Sequence, residues 1–245
     1  MPCAKQDRMH IMSDYEVTMN TDLFTGKAGV YAQARPSYAA EAIDYICSLA
    51  PQGAVFADIG AGTGKFSELL ARRGNVLYAV EPNDDMRLQL EKTLAPYKNA
   101  CVFSGTAENT GLTAASVDVI TVAQALHWFE PSSFLKECLR VLRPEGFVAA
   151  VYNVNPKGES VGHSKTSTDA FFGNPVVREF PNPVYYTREN WLAYRLSHSK
   201  DPKPGDERFE SHIAEANAYF DRKSADGLIE LELTTRVYSS GAKRP

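Results

Sequence analysis

Apolar positions along this chain fall into short unbroken runs separated by stretches with helical spacing. Residues 38–50 place Ala39, Ala42, Ile43, Ile46 and Leu49 on one stripe at intervals of three and four, and Pro51 ends it. The run at 54–59 (AVFADI) lies between Gly53 and Gly60 and shows no alternation, the pattern of a strand buried on both faces. Residues 66–73 read as a helix closed by Gly74, 76–80 as a second apolar strand, and 84–94 as a helix ended by Pro96. Strands follow at 100–103 and 117–122, then an amphipathic helix at 132–142, a turn at 143–146 and a fifth strand at 147–152.

Apolar strands alternating with helices predict right-handed βαβ units and a parallel sheet covered on both faces. Beyond Asn153 the texture changes. Residues 155–168 are polar, and 174–183 hold Pro175, Pro181 and Pro183, which reads as an insertion or flexible loop. Residues 186–196 and 207–220 read as helices, and 228–238 alternate strictly, as a half-exposed strand at the edge of the sheet does. The fold class predicted is α/β, Rossmann-like and doubly wound, with a mostly parallel seven-stranded sheet and an antiparallel C-terminal edge strand. Residues 1–28 read as a flexible N-terminal leader, and 29–245 as a single domain whose active-site cap comes from about 155–206.

Composition narrows the function classes. With 26 Lys and Arg against 30 Asp and Glu the net charge is −4, a balance that disfavours a general nucleic-acid binder. Residues 1–25 lack the apolar core of a signal peptide, and no run approaches the length of a membrane-spanning helix, so the expected location is cytoplasmic. The four cysteines, Cys3, Cys47, Cys101 and Cys138, are far apart and far from paired histidines, so they read as reduced thiols and no metal site is expected.

The most informative stretch is FADIGAGTGK at 56–65. A nucleotide P-loop fails here, because it requires a glycine where Ile59 stands and Ser or Thr where Phe66 stands. A dinucleotide fingerprint fails too, because counting from Gly60 its third glycine falls on Lys65. What remains is an acid two residues before Gly60, Gly62 and Gly64. Such glycines let a ligand approach the backbone closely and let the chain turn sharply into a helix. Asp58, a carboxylate inside an apolar run, calls for a cationic partner. Glu81, at the end of the second strand, has the geometry to accept two hydrogen bonds from a ribose diol.

These residues resemble the class I S-adenosylmethionine-dependent methyltransferases. DIGAGTG at 58–64 is similar to their first motif, VEP at 80–82 to the motif after the second strand, and GTAE at 105–108 to the turn that contacts adenine. VDVITVAQALHWF at 117–129 and LRVLRPEG at 139–146 are similar to later signatures. The chain looks closest to a small-molecule branch that includes trans-aconitate methyltransferase-like proteins, which share YAQARP at 31–36. It departs from the family at Thr106, where an acid is usual, and at 152–156, where YNVNP replaces Trp-Asn-x-x-Asp.

The resemblance implies S-adenosyl-L-methionine as cofactor, with S-adenosyl-L-homocysteine as product, and a small-molecule acceptor offering an O, N or C nucleophile, carboxylates included. It implies cofactor contacts from Asp58, Gly60, Ala61, Gly62, Gly64, Glu81, Pro82, Met86, Thr106, Ala107, Glu108, Gln124 and Ala125. Tyr31 and Arg35 would form a lid over the cofactor, and His127 is the candidate general base. No nucleic acid and no membrane is expected as a partner. Two rival readings stay open: methylation of a protein or RNA, and a catalytically inactive S-adenosylmethionine-binding regulatory protein.

Overall fold

The computed structural model describes residues 35–155, 165–197 and 201–241; the leader expected over 1–28, and Tyr31, lie outside them. Helix α1 (Ala40–Leu49) forms where its apolar stripe predicts, with Ala42, Ile43 and Ile46 buried. Leu49, on the same predicted stripe, is exposed in the last turn. There follow β1 (Val55–Ile59), α2 (Lys65–Arg72), β2 (Val76–Val80), α3 (Asp84–Leu94), β3 (Ala100–Phe103) and β4 (Val117–Ala123). A 3-10 turn at Leu126–Trp128 leads into α4 (Pro131–Val141) and β5 (Leu142–Val154). The remaining elements are α5 (Lys165–Phe172), β6 (Val176–Tyr186), α6 (Arg188–Arg195), α7 (Phe209–Lys223) and β7 (Ile229–Gly241). The turn predicted at 143–146 is present as an irregularity within β5, whose pairing jumps from Leu142 opposite Val117 to Phe147 opposite Val119.

The seven strands form one sheet in the order β3-β2-β1-β4-β5-β7-β6, with β1 to β5 all parallel. Successive side chains of a strand point to opposite faces, and β5 shows the consequence. Val148, Ala150, Tyr152 and Val154 join Phe134 and Cys138 of α4 and Phe171 of α5, whereas Ala149 and Val151 join Ile43, Phe66, Leu70 and Leu90 of α1 to α3. A strand enclosed by two helical layers has no polar face to show, which is why these runs read as unbroken apolar segments.

The C-terminal strand is antiparallel, as expected, and it lies one place inside the edge: β7 pairs with β5 on one side and β6 on the other. The edge on this side of the sheet, β6, is the proline-bearing segment read from sequence as a loop. Pro181 and Pro183 are two residues apart, so both missing N–H groups fall on one side of the strand. On an edge that side carries no ladder bonds. The segment 155–206, expected as a cap, is accordingly divided, with its middle part in the sheet. Helices α6 and α7 pack against each other at the outer end of β6 and β7 around Tyr186, Trp191, Phe220 and Ile229, and the Trp191 indole N–H donates to the Ala216 carbonyl at 2.9 Å.

Cys47 and Cys138 are free thiols. Among the described residues no helix is long and apolar enough to cross a membrane, and no group of His, Cys, Asp and Glu is arranged to hold a metal ion.

Candidate functional site

From β1 the chain moves one way along the sheet to β2 and β3, then returns to the other side of β1 as β4. Between the carboxyl ends of β1 and β4 the order reverses, and an open α/β sheet forms its ligand crevice at such a point. The loop 60–64 lies there. The Gly60 and Ala61 N–H groups both donate to the Val80 carbonyl, at 2.9 and 3.0 Å, which folds the loop toward β2. Gly60, Gly62 and Gly64 all have positive φ, at 69°, 58° and 89°, so the sharp entry into α2 requires residues without a side chain.

Each glycine meets a different environment. A Cβ at Gly60 would lie 2.9 Å from the Ala125 Cβ and 3.1 Å from the Phe129 ring, so this glycine lets the loop touch the segment after β4. A Cβ at Gly64 would lie 2.7 Å from Leu90 in α3. At Gly62 it would meet nothing within 4 Å. The middle glycine therefore faces open space, in a backbone shape that only glycine adopts without strain.

Asp58 is buried at the carboxyl end of β1. Its partners are two hydroxyls: Ser67 Oγ donates to Oδ2 at 2.5 Å and Thr121 Oγ1 donates to Oδ1 at 3.0 Å. The expectation of a cationic partner for this carboxylate left these two hydroxyls out. Ser67 was detectable as a polar residue on the inward stripe of α2, and Thr121 as a hydroxyl within the apolar run of β4. Burial still dominates, pushing the carboxyl up to about 7; the two hydroxyls pull it down and Glu81 pushes it up further. With two of its acceptor positions used, the carboxylate keeps capacity for a cation.

Glu81 closes the loop from the β2 side. Its Oε2 accepts the Gly62 N–H at 2.8 Å and its Oε1 accepts the Asn83 N–H at 2.9 Å. Burial raises its pKa, while the backbone bonds from Asn83 and Gly62 and the Arg87 charge oppose the rise. Each oxygen retains a second lone pair. Pro82 leads into Asn83, which caps α3 by accepting the Met86 N–H at 2.9 Å, and Met86 is buried behind it.

Across the crevice, Gln124 follows β4 with φ 57°, a left-handed conformation costly for a residue with a side chain. Its N–H donates to the Val151 carbonyl at 2.9 Å and its Nε2 to the Asn153 carbonyl at 3.4 Å. Ala125 is buried beside Gly60. His127 is half-buried on the 3-10 turn, its ring 4.7 Å from that of Trp128.

The turn after β3 stands at the third side. A Cβ at Gly105 would lie 2.6 Å from the Thr110 carbonyl, so the turn closes only around glycine. Thr106 Oγ1 accepts the Asn109 N–H at 3.1 Å, Ala107 is buried, and Glu108 accepts the Glu130 N–H at 3.0 Å. Glu137 anchors this turn to α4, accepting from the Thr110 N–H and hydroxyl at 2.9 and 2.6 Å and from Arg140 at 2.7 Å. Burial raises the Glu137 pKa, but the Arg140 guanidinium and the two Thr110 donors outweigh it and hold the carboxyl at about 2. A carboxyl held below its ordinary value stabilises the fold above that value and ceases to as pH falls through the lowered one. Glu137→Gln should therefore flatten the acid side of the stability curve between about pH 4.5 and 2, measured by thermal unfolding. An unchanged acid limb would show that the anchor contributes nothing.

Arg35 lies beside the start of α2. Its carbonyl accepts from the Lys65 ammonium, and its Nη2 donates to the Ser197 carbonyl at 3.3 Å, just past α6. Its charge also acts on the buried hydroxyls of Tyr194 and Tyr186. Of the residues singled out in the sequence, then, Asp58, the glycine loop, Glu81 and Ala125 meet at one crevice, with Gln124 at its rim. The turn 106–108, His127 and Arg35 stand on the loops around it.

Residues 57–150 match a family described as a methyltransferase domain. The chain is 40% identical over 172 residues to a protein of Mycobacterium tuberculosis described as an uncharacterized methyltransferase, covering 67% of this chain and 65% of that one. The chain therefore spans slightly less than two thirds of that relative. A Schizosaccharomyces pombe protein described as uncharacterized and methyltransferase-like is 34% identical over 137 residues, 54% of this chain and 52% of its own. Among solved structures, a candidate type II methyltransferase from Anaeromyxobacter dehalogenans superposes with TM-score 0.66 at 21% identity, covering 86% of this chain and 99% of that one. The [4+2]-cyclase SpnF superposes with TM-score 0.58 at 13% identity, covering 93% and 97%. At those identities the likeness is one of fold alone.

Proposed function

We propose that the chain is a class I S-adenosylmethionine-dependent methyltransferase and that it methylates a small-molecule acceptor at an O, N or C nucleophile. The observation that carries the reading is the open face of Gly62, set between the buried carboxylates Asp58 and Glu81. Such a face admits a ligand against bare backbone, and the two acids suit a cationic group and a ribose diol. The crevice thus fits S-adenosylmethionine, which supplies an activated sulfonium methyl group when bound.

In this reading Asp58 faces the cationic end of the cofactor and Glu81 holds the ribose. Ala61, Pro82 and Met86 line that wall, and the turn at Thr106, Ala107 and Glu108 receives the adenine. Gln124 and Ala125 bound the methyl end. The chain's contribution is mainly alignment and exclusion of water, since the reactive methyl group needs little further activation. His127 serves as base where the acceptor is a hydroxyl or amine; a carboxylate acceptor, already ionised, needs none. The net charge of −4 favours a small acceptor over RNA.

Calorimetry should show S-adenosylmethionine binding with a micromolar-range Kd, weakened at least about tenfold in Glu81→Ala, since a lost hydrogen bond to a charged group is worth ~1.5–3 kcal/mol. No heat with the wild type would overturn the cofactor reading. Labelled methyl transfer into a fractionated cell extract then separates the acceptors, with label expected among small molecules. Label in protein or RNA would establish the first rival, and binding without transfer into any fraction the inactive one. A pH–rate profile unchanged in His127→Ala would remove that residue as a base.

A further inference from the structure

A polar cluster outside the crevice converges on the segment that carries Arg35. Asn153 is buried near the carboxyl end of β5. Its Nδ2 donates to the Ser37 carbonyl at 2.9 Å, and its Oδ1 accepts from Thr235 Oγ1 of β7 at 2.7 Å and from Asn182 Nδ2 of β6 at 3.1 Å. The same Asn182 Nδ2 donates to the Ser37 carbonyl at 2.8 Å, and Thr235 Oγ1 accepts the Ala39 N–H at 3.0 Å. Three neighbouring strands thus contribute one side chain each to hold two backbone groups of the segment preceding α1. Asn153 and Thr235 are buried where apolar residues of similar volume would fill the space, so what the polar groups add is a defined position for that backbone.

Two residues upstream of Ser37, the Arg35 carbonyl accepts from Lys65, the first residue of α2 and the residue directly after Gly64. A cation at a helix N-terminus is opposed by the helix dipole. Burial also disfavours the Lys65 ammonium, with Glu68 as its acidic counterweight. The carbonyl of Arg35 offsets part of both costs, so the start of α2 depends on where that carbonyl is held. Asn153 reaches the crevice by a second route as well, since its own carbonyl accepts from Gln124.

We propose that Asn153, with Asn182 and Thr235, is a positioning site that docks residues 35–39 against the start of α2, where the glycine loop ends, through the Arg35–Lys65 contact, and thereby sets how long the cofactor stays bound. The last two strands of the sheet, remote from the crevice in sequence, then control cofactor release. This rests on the reading of the loop as the S-adenosylmethionine site.

The test is the dissociation rate of labelled S-adenosylmethionine from the full chain, chased with unlabelled cofactor. Asn153→Asp keeps an acceptor for Thr235 but replaces the donor to Ser37 with a negative oxygen, and should speed release about tenfold or more. Asn182→Ala, at a half-exposed edge position that leaves the core untouched, should speed it about fivefold, the value of one hydrogen bond. Hydrogen exchange at the Ala39 amide should accelerate in Asn153→Asp while the amides of β1 and β4 keep their protection. Lys65→Met should speed release, and adding Asn153→Asp to it should do little more, because both act through one contact; a merely loosened fold would give additive effects. Unchanged release in both asparagine variants, an Ala39 amide still protected, or full additivity with Lys65→Met overturns the proposal. A wild type that binds no S-adenosylmethionine overturns the reading beneath it as well.

Discussion

Asp58→Asn is expected to stabilise the cofactor-free protein at pH 8 and, at the same pH, to weaken its hold on S-adenosylmethionine. The carboxyl titrates at about 7 in the folded chain against an ordinary value of 3.8. Folding therefore takes up a proton between those values. The stability this group contributes is complete below pH 3.8 and is lost as pH rises through 7. At ~1.4 kcal/mol per unit, the burden of the ionised carboxylate above pH 7 reaches ~4 kcal/mol in the wild type. An amide of the same shape still accepts from Ser67 or Thr121 and escapes that burden.

Cofactor binding reverses the sign, because a cation favours the ionised form. Wild-type affinity should rise with pH by up to about tenfold per unit below 7 and level off above it. Calorimetry at pH 6 in two buffers of different ionisation enthalpy should detect about one proton released on binding. The asparagine variant should show a weak affinity that does not change across this range and release no proton. Identical pH dependence in the two proteins would remove Asp58 from contact with the cofactor's charge.

Gly62→Ala and Gly64→Ala should fail in opposite ways. Both positions have positive φ, which alone costs an alanine ~1–2 kcal/mol. At Gly64 the added methyl group also meets Leu90 at 2.7 Å and Thr93 at 3.2 Å, and Leu90 is fully buried in α3. Overpacking adds ~1–3 kcal/mol, so Gly64→Ala should lose ~2–5 kcal/mol in urea unfolding. At Gly62 the methyl group meets no protein atom within 4 Å. The fold should lose only the backbone strain, whereas the methyl group occupies the face offered to the ligand and should weaken S-adenosylmethionine about a hundredfold or more, the ~3 kcal/mol that overpacking costs at its upper end. Normal cofactor affinity in a folded Gly62→Ala protein would sink the placement of the ligand against this loop.

How far the sequence reached depended on the kind of signal. Strands β1 to β5 and the helices between them were legible because burial on both faces leaves unbroken apolar runs of strand length. β6 was not, because Pro181 and Pro183 carry the local signature of a loop, and only a position at the edge makes their missing donors harmless. The strand at 228–238 was legible as a strand and as antiparallel, but its alternating pattern says only that one face is exposed, not that another strand lies beyond it.

At the site, Asp58, the three glycines and Glu81 could be picked out by residue type and spacing, because a tight turn and a ribose-binding carboxylate need those residues at those intervals. Their assembly at the reversal point between β1 and β4 came with the strand order of the sheet, which alternation of strands and helices leaves open. The pairing of Ser67 and Thr121 with Asp58, the anchor of Glu137 on Thr110 and the cluster at Asn153 were not legible. They join residues from 9 to 196 positions apart through side-chain hydrogen bonds, which leave no periodic trace. The sequence by itself determined strands β1 to β5 with the helices between them, their parallel sense and the loop at which a ligand enters, since all three follow from local pattern and backbone geometry. Tertiary structure alone decided how the buried acids are held, which strand forms the edge and where Arg35 sits, since those depend on partners that meet only once the sheet has closed.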